Sequence, residues 1–98
     1  MQEAVETLVA LGPLPSSAKS DVARVERFED ALKRVKQPVS DEDARALVRL
    51  FGPDDCFGLG WTLLHLIETS PSWPMEDCLR SNGSEWVDVL CQRARNRT

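Results

Sequence analysis

Apolar residues in this chain recur in steps of three and four, and alternation never lasts more than a few residues. The clearest run is Val22, Val25, Phe28, Leu32 and Val35. On a helix these make one stripe, with charge on the remaining surface; a half-buried strand would need period two. Glu29 and Lys33 stand four apart, a favourable pair on the exposed side of that helix. Tyrosine is absent and no strand-like segment competes. The chain is therefore expected to be all-α.

Proline, glycine and short polar residues cut this pattern into short pieces. A first helix is expected from Gln2 to Leu11, with Val5, Leu8 and Val9 on its inner side. "GPLPSS" ends it, because Gly12 suits a helix C-terminus and two prolines prevent continuation. Ser16, Ser17 or Ser20 caps the second helix. After "QPVS", Ser40 is an N-cap for the third. Asp41, Glu42 and Asp43 then place negative charge where the helix dipole favours it. Ala44, Leu47, Val48 and Phe51 face inward until Gly52 and Pro53 stop the helix. Asp54 or Asp55 caps a fourth helix that runs to Thr69.

A short fifth helix follows Ser72 and Pro74, with Met75, Cys78 and Leu79 on its apolar side. "SNG" ends it, and Ser84 caps a sixth that buries Trp86, Val87, Leu90, Cys91 and Ala94. The basic tail, from about residue 93 to 98, is expected to fray. Short connections predict antiparallel neighbours. The expected fold is a compact single domain over residues 1–98, a bundle or orthogonal stack of five to six short helices.

Bulk properties exclude several classes. The 98 residues are 42% apolar and 29% charged, an ordinary globular balance. A net charge of −4 argues against nucleic acid and fits a basic protein partner. The longest apolar run is far short of a membrane span. No basic n-region with an apolar h-region opens the chain, so no secretory signal is expected, and the cytoplasm is the expected compartment. The cysteines, Cys56, Cys78 and Cys91, are odd in number and widely spaced. They read as reduced structural thiols.

The fourth segment, "DDCFGLGWTLLHLIE", carries the most unusual mixture. Leu59, Leu63, Leu66 and Ile67 make a sufficient core face. The other side holds Gly58, Trp61, Thr62, His65, Glu68 and Thr69. Each glycine in a helix interior costs roughly 0.5–1 kcal/mol relative to alanine. Two offsets are open: Gly58 and Gly60 admit a neighbouring helix, or they admit a ligand or partner with Trp61 as its wall. His65 and Glu68 are three apart, so their side chains can meet. One such pair supplies too few ligands for zinc, and its order reverses the di-iron Glu-x-x-His pattern. No phosphate-binding loop, Gly-x-Ser-x-Gly elbow or His-Glu-x-x-His helix occurs.

The stretch "LVRLFGPDDCFGLGWTLLHLIETSPSWP", residues 47 to 74, resembles small bacterial helical, HEAT-like proteins of the toxin-immunity type. That resemblance implies a binding protein, with Asp54, Asp55, Trp61 and Glu68 nearest the matching stretch. It departs from a HEAT array in being short and without a fixed repeat.

Three functional readings follow. The first is a small protein-binding module without catalysis or cofactor, of which an immunity-type inhibitor of a basic toxin is the most concrete form. Its binding residues would be Asp54, Asp55, Trp61, His65 and Glu68. The second is an enzyme or metal-binding protein centred on His65 and Glu68. The third is a structural homo-oligomer, a homodimer in its simplest form.

Overall fold

A computed structural model describes residues 1–16, 18, 21–52, 56, 58–74 and 85–96. Among the described residues there are five helices and no strand: α1 (Glu3–Leu11), α2 (Val22–Arg34), α3 (Asp41–Val48), α4 (Leu59–Ile67) and α5 (Glu85–Asn96). The all-helical bundle expected from the spacing is what the chain forms. The expected short helix through Met75, Cys78 and Leu79 lies largely outside the described residues, as does the Ser84 cap.

α1 and α2 form an antiparallel pair. At one end Arg24 donates to the Leu11 carbonyl. At the other, the Gln2 amide donates to the Lys36 carbonyl at 2.9 Å and accepts from Lys36 N–H at 2.8 Å. Ala4, Val5 and Leu8 are buried on α1, while Val9 is exposed. Val9 lies 100° past Leu8, on the rim of a face that Ala4 completes instead. On α2, Phe28, Ala31 and Leu32 are buried and Val25 packs partly against them. Val22 is 72% exposed, because it lies beyond the end of α1 that Arg24 marks. The α2 N-cap is Asp21, whose carboxylate accepts from Ala23 N–H at 2.9 Å, and not one of the serines.

α3 begins as its sequence suggests, with Ser40 at the N-cap. Asp43 is not a solvated first-turn charge: it is 2% exposed. It closes a capping box, accepting from Ser40 N–H while the Ser40 hydroxyl accepts from Asp43 N–H. The Gln2 backbone and side-chain amides also donate to its carboxylate, both at 3.4 Å. A buried carboxylate needs such donors, so Asp43 joins the start of α1 to the start of α3. α3 ends at Val48, three residues earlier than expected. Gly52 serves close packing there: a Cβ would collide with the Leu14 carbonyl, while Leu14 N–H donates to the Leu50 carbonyl at 2.8 Å.

α4 is central. It touches α2, α3 and α5. Its inner side buries Leu59, Leu63, Leu64, Leu66 and Ile67. Each such side chain contributes about 1.5–3 kcal/mol on full burial. α3 and α4 are antiparallel. The Thr69 hydroxyl accepts from Val39 N–H at 3.0 Å, and Ser72 donates twice to the Asp41 carboxylate.

α4 and α5 run in the same direction; the antiparallel expectation is for consecutive helices, and a further helix is expected between these two. Gly60 meets Trp86 near their N-terminal ends, and Glu68 meets Arg93 near their C-terminal ends. Eight residues of α4 and seven of α5 separate these contacts, about 12 and 10.5 Å of rise. The long connection between the two helices permits this arrangement. α5 buries Trp86, Val87, Leu90 and Ala94, while Cys91 is only partly buried. It is helical to Asn96. No helix among the described residues is long and apolar enough to cross a membrane.

Candidate functional site: the outer face of helix α4

The outer face of α4 follows from its periodicity. With the leucines and Ile67 turned inward, Trp61, Thr62 and His65 are left exposed. α4 starts at Leu59 rather than Asp55, with Gly58 at its N-cap at φ +88°. That is the left-handed region, which glycine enters at little cost, and no atom of the described residues beyond its chain neighbours lies within 4 Å of where a Cβ would sit. Gly58 is therefore a conformational glycine at the helix start and not an interior one. Asp54 and Asp55, expected there as cap and contact, lie outside the described residues.

Gly60 has the packing role. A Cβ on it would stand 2.6 Å from Trp86 Cζ2. The absence of that Cβ lets the indole of α5 lie against the α4 backbone. Trp86 then stacks on Phe51, with centroids 5.3 Å apart and planes at 8°. It also meets Trp61 in an edge-to-face contact, at 4.9 Å and 81°. Offset-stacked and edge-to-face pairs are favoured by the ring quadrupole. The three rings form a ladder from the core to the surface. Phe51 and Trp86 are buried, and Trp61 is 44% exposed.

Glu68 sits at the other end of the face, and Arg93 takes its carboxylate. Arg93 Nε donates to Glu68 Oε2 at 2.8 Å, and an η nitrogen donates to Oε1 at 2.9 Å. The hydrogen bond to Glu68 raises the Arg93 pKa further above its ordinary range. No hydrogen bond joins Glu68 to His65 among the described residues. The intrahelical pair read from the three-residue spacing gives way to a bidentate contact from the next helix. No group of three or more His, Cys, Asp or Glu residues gathers to hold a metal, among the described residues.

No protein-family model, curated protein or solved structure matches the chain. The site is therefore read from its own chemistry. It brings together Trp61, Thr62 and His65, with the Glu68–Arg93 pair at its edge. Sequence reasoning missed Trp86 and Arg93 as the groups that hold this face in place. Trp86 was legible only as a core anchor, and Arg93 only as part of a basic tail.

A concave region lies away from this face. It is an open depression of about 430 Å³ lined by Gln2, Glu3, Ala4, Arg34 and Lys36. None of the expected site residues lines it. Its charged groups are solvated, Arg34 pairs with Asp30 at 3.1 Å, and Gln2 is engaged by Lys36 and Asp43.

Proposed function

We propose that this chain is a protein-binding module that engages its partner through the outer face of α4, with Trp61 as the anchor and Thr62 and His65 beside it. One observation carries the reading. Trp61 presents 44% of its surface to solvent, yet its ring is held edge-on against buried Trp86. An exposed tryptophan that is already ordered loses little rotamer freedom when a partner covers it. Tryptophans backed by packed neighbours are the commonest residues to dominate binding energy at interfaces. The acidic balance of −4 favours a basic partner.

The reading centred on His65 and Glu68 as a catalytic or metal pair has less support, since Glu68 turns to Arg93. No relative carries the immunity-type resemblance further, so the binding reading stands on the surface of α4.

The test is retention of a partner from native lysate by wild type and by Trp61→Ala, with circular dichroism to confirm that both are folded. The proposal expects a partner that the variant loses. Equal retention by a folded Trp61→Ala would place binding elsewhere.

A further inference from the structure

We infer that the turn after α4 encloses a water-binding site, in which one molecule is held between the Ser70 hydroxyl and the Trp73 indole N–H. The inference goes beyond the binding reading of α4. It concerns how that helix is tied to the start of α3.

Two buried side-chain polar atoms have no hydrogen-bonding partner among the described residues: Ser70 Oγ and Trp73 Nε1. They belong to one turn. Trp73 N–H donates to the Ser70 carbonyl at 3.1 Å, so Ser70 and Trp73 are its corners and Pro71 and Ser72 its tip. Such a turn brings its corner Cα atoms within about 7 Å of each other. The tip is exposed, whereas Ser70 is 6% and Trp73 8% exposed. Both corner side chains therefore enter the interior from the same turn, and they do not bond to each other.

The neighbouring polar groups are already engaged. The Thr69 hydroxyl accepts from Val39 N–H and donates to the Leu66 carbonyl at 2.6 Å. Ser72 gives both its N–H and its hydroxyl to the Asp41 carboxylate. These bonds fasten the end of α4 to the start of α3. They leave the inward corners of the turn with one donor and one hydroxyl to satisfy.

Chemistry selects the occupant. An indole N–H only donates, so whatever meets it must accept, and a metal cation does not. An anion would bring an uncompensated charge into a closed place. Water accepts from the indole and either donates to or accepts from the hydroxyl. It is also the usual companion of buried polar groups that protein atoms leave unsatisfied. Without it, two buried groups would forfeit their hydrogen bonds to solvent on folding.

The first experiment is a crystal structure of the whole chain that resolves ordered waters. It should show one water within hydrogen-bonding distance of both Ser70 Oγ and Trp73 Nε1. The second is a set of thermal melts of Ser70→Ala, Trp73→Phe and the double variant. Ser70→Ala should lower the midpoint by about 4–8 °C, the effect of one lost hydrogen bond in a domain of this size. The loss in the double variant should fall short of the sum of the two single losses, because both side chains hold the same molecule.

No density between the two atoms, or a protein group lying there, would overturn the site. So would an unchanged or raised midpoint in Ser70→Ala, the behaviour of a hydroxyl that bonds to nothing. Additive losses would overturn the sharing of one water by the two side chains.

Discussion

Gly60 and Trp86 pack so closely that a methyl group on the glycine would lie 2.6 Å from the indole. Two effects oppose each other in Gly60→Ala. Alanine is a better helix former by about 1 kcal/mol. The clash, however, is with a rigid ring packed against both Phe51 and Trp61. Overpacking of this kind costs about 1–3 kcal/mol. The clash should win, giving a net loss on the order of 1 kcal/mol. For a domain of this size that lowers the thermal midpoint by about 4–8 °C. An unchanged or higher midpoint would show that Trp86 moves freely.

Gly58→Ala should also destabilise, by a different route. There is space for the methyl group, but φ is +88°. The expected loss is about 1 kcal/mol, from backbone strain alone. Unlike Gly60→Ala, this variant should leave the environment of Trp86 intact, which near-ultraviolet circular dichroism reads directly.

The bidentate pair of Glu68 and Arg93 should show an asymmetry. The Arg93 side chain is 43% exposed and that of Glu68 only 12%. Removing Glu68 leaves a guanidinium with access to water, so Glu68→Ala should cost about 0.5–1 kcal/mol. Removing Arg93 strands a mostly covered carboxylate, so Arg93→Ala should cost more, about 1–2 kcal/mol. Arg93→Lys should not restore the wild-type value, since an ammonium cannot reproduce the fork. The raised Arg93 pKa contributes stability that is fully present below the ordinary guanidinium range and is lost only as pH rises through the folded value. Its contribution should therefore be flat across neutral pH. Denaturant melts of the three variants at two neutral pH values check both points.

Much of α4 was legible because its apolar spacing is local. Leu59, Leu63, Leu66 and Ile67 face inward, and Trp61, Thr62 and His65 face out, as the helical period requires. Asp43 was half legible. "SDED" contains the Ser-x-x-acid capping pattern, but nothing in the sequence says that Gln2 will also cover the carboxylate. What was not legible is contact at a distance. Glu68 lies three residues from His65 but binds Arg93, 25 residues away. Local spacing shows which side chains can meet, while burial and tertiary packing decide which do. The same holds for Gly60, whose reason is an indole on another helix. Gly58 differs: a single glycine before a leucine-rich turn reads equally well as helix interior or as helix start.

Asp43→Ala should be among the most damaging polar substitutions. It removes the acceptor for Ser40 N–H and for two Gln2 donors beneath the surface. The expected cost is about 2–3 kcal/mol. Ser40→Ala, which loses only the cap on Asp43 N–H, should cost about 1 kcal/mol. Equal effects would mean that the Gln2 contacts to Asp43 carry no stability.

Leu63 is 1% exposed on the inner side of α4. Leu63→Ala should cost about 2–5 kcal/mol. Leu63→Asp should prevent stable folding, because it buries a charge without a partner. A cooperative melt near the wild-type midpoint for Leu63→Asp would contradict the inward face assigned to α4.

The most direct test of the central claim compares two exposed positions on different surfaces. Thr62 lies beside Trp61 on α4, and Val22 is 72% exposed at the start of α2. Affinity for the partner retained by wild type would be measured for Thr62→Arg and Val22→Ser, each first shown to melt like wild type. A long cation at position 62 should weaken binding at least about tenfold, which is 1.4 kcal/mol, while Val22→Ser leaves it unchanged. Unchanged affinity in Thr62→Arg would contradict the assignment of the outer face of α4 as the binding surface.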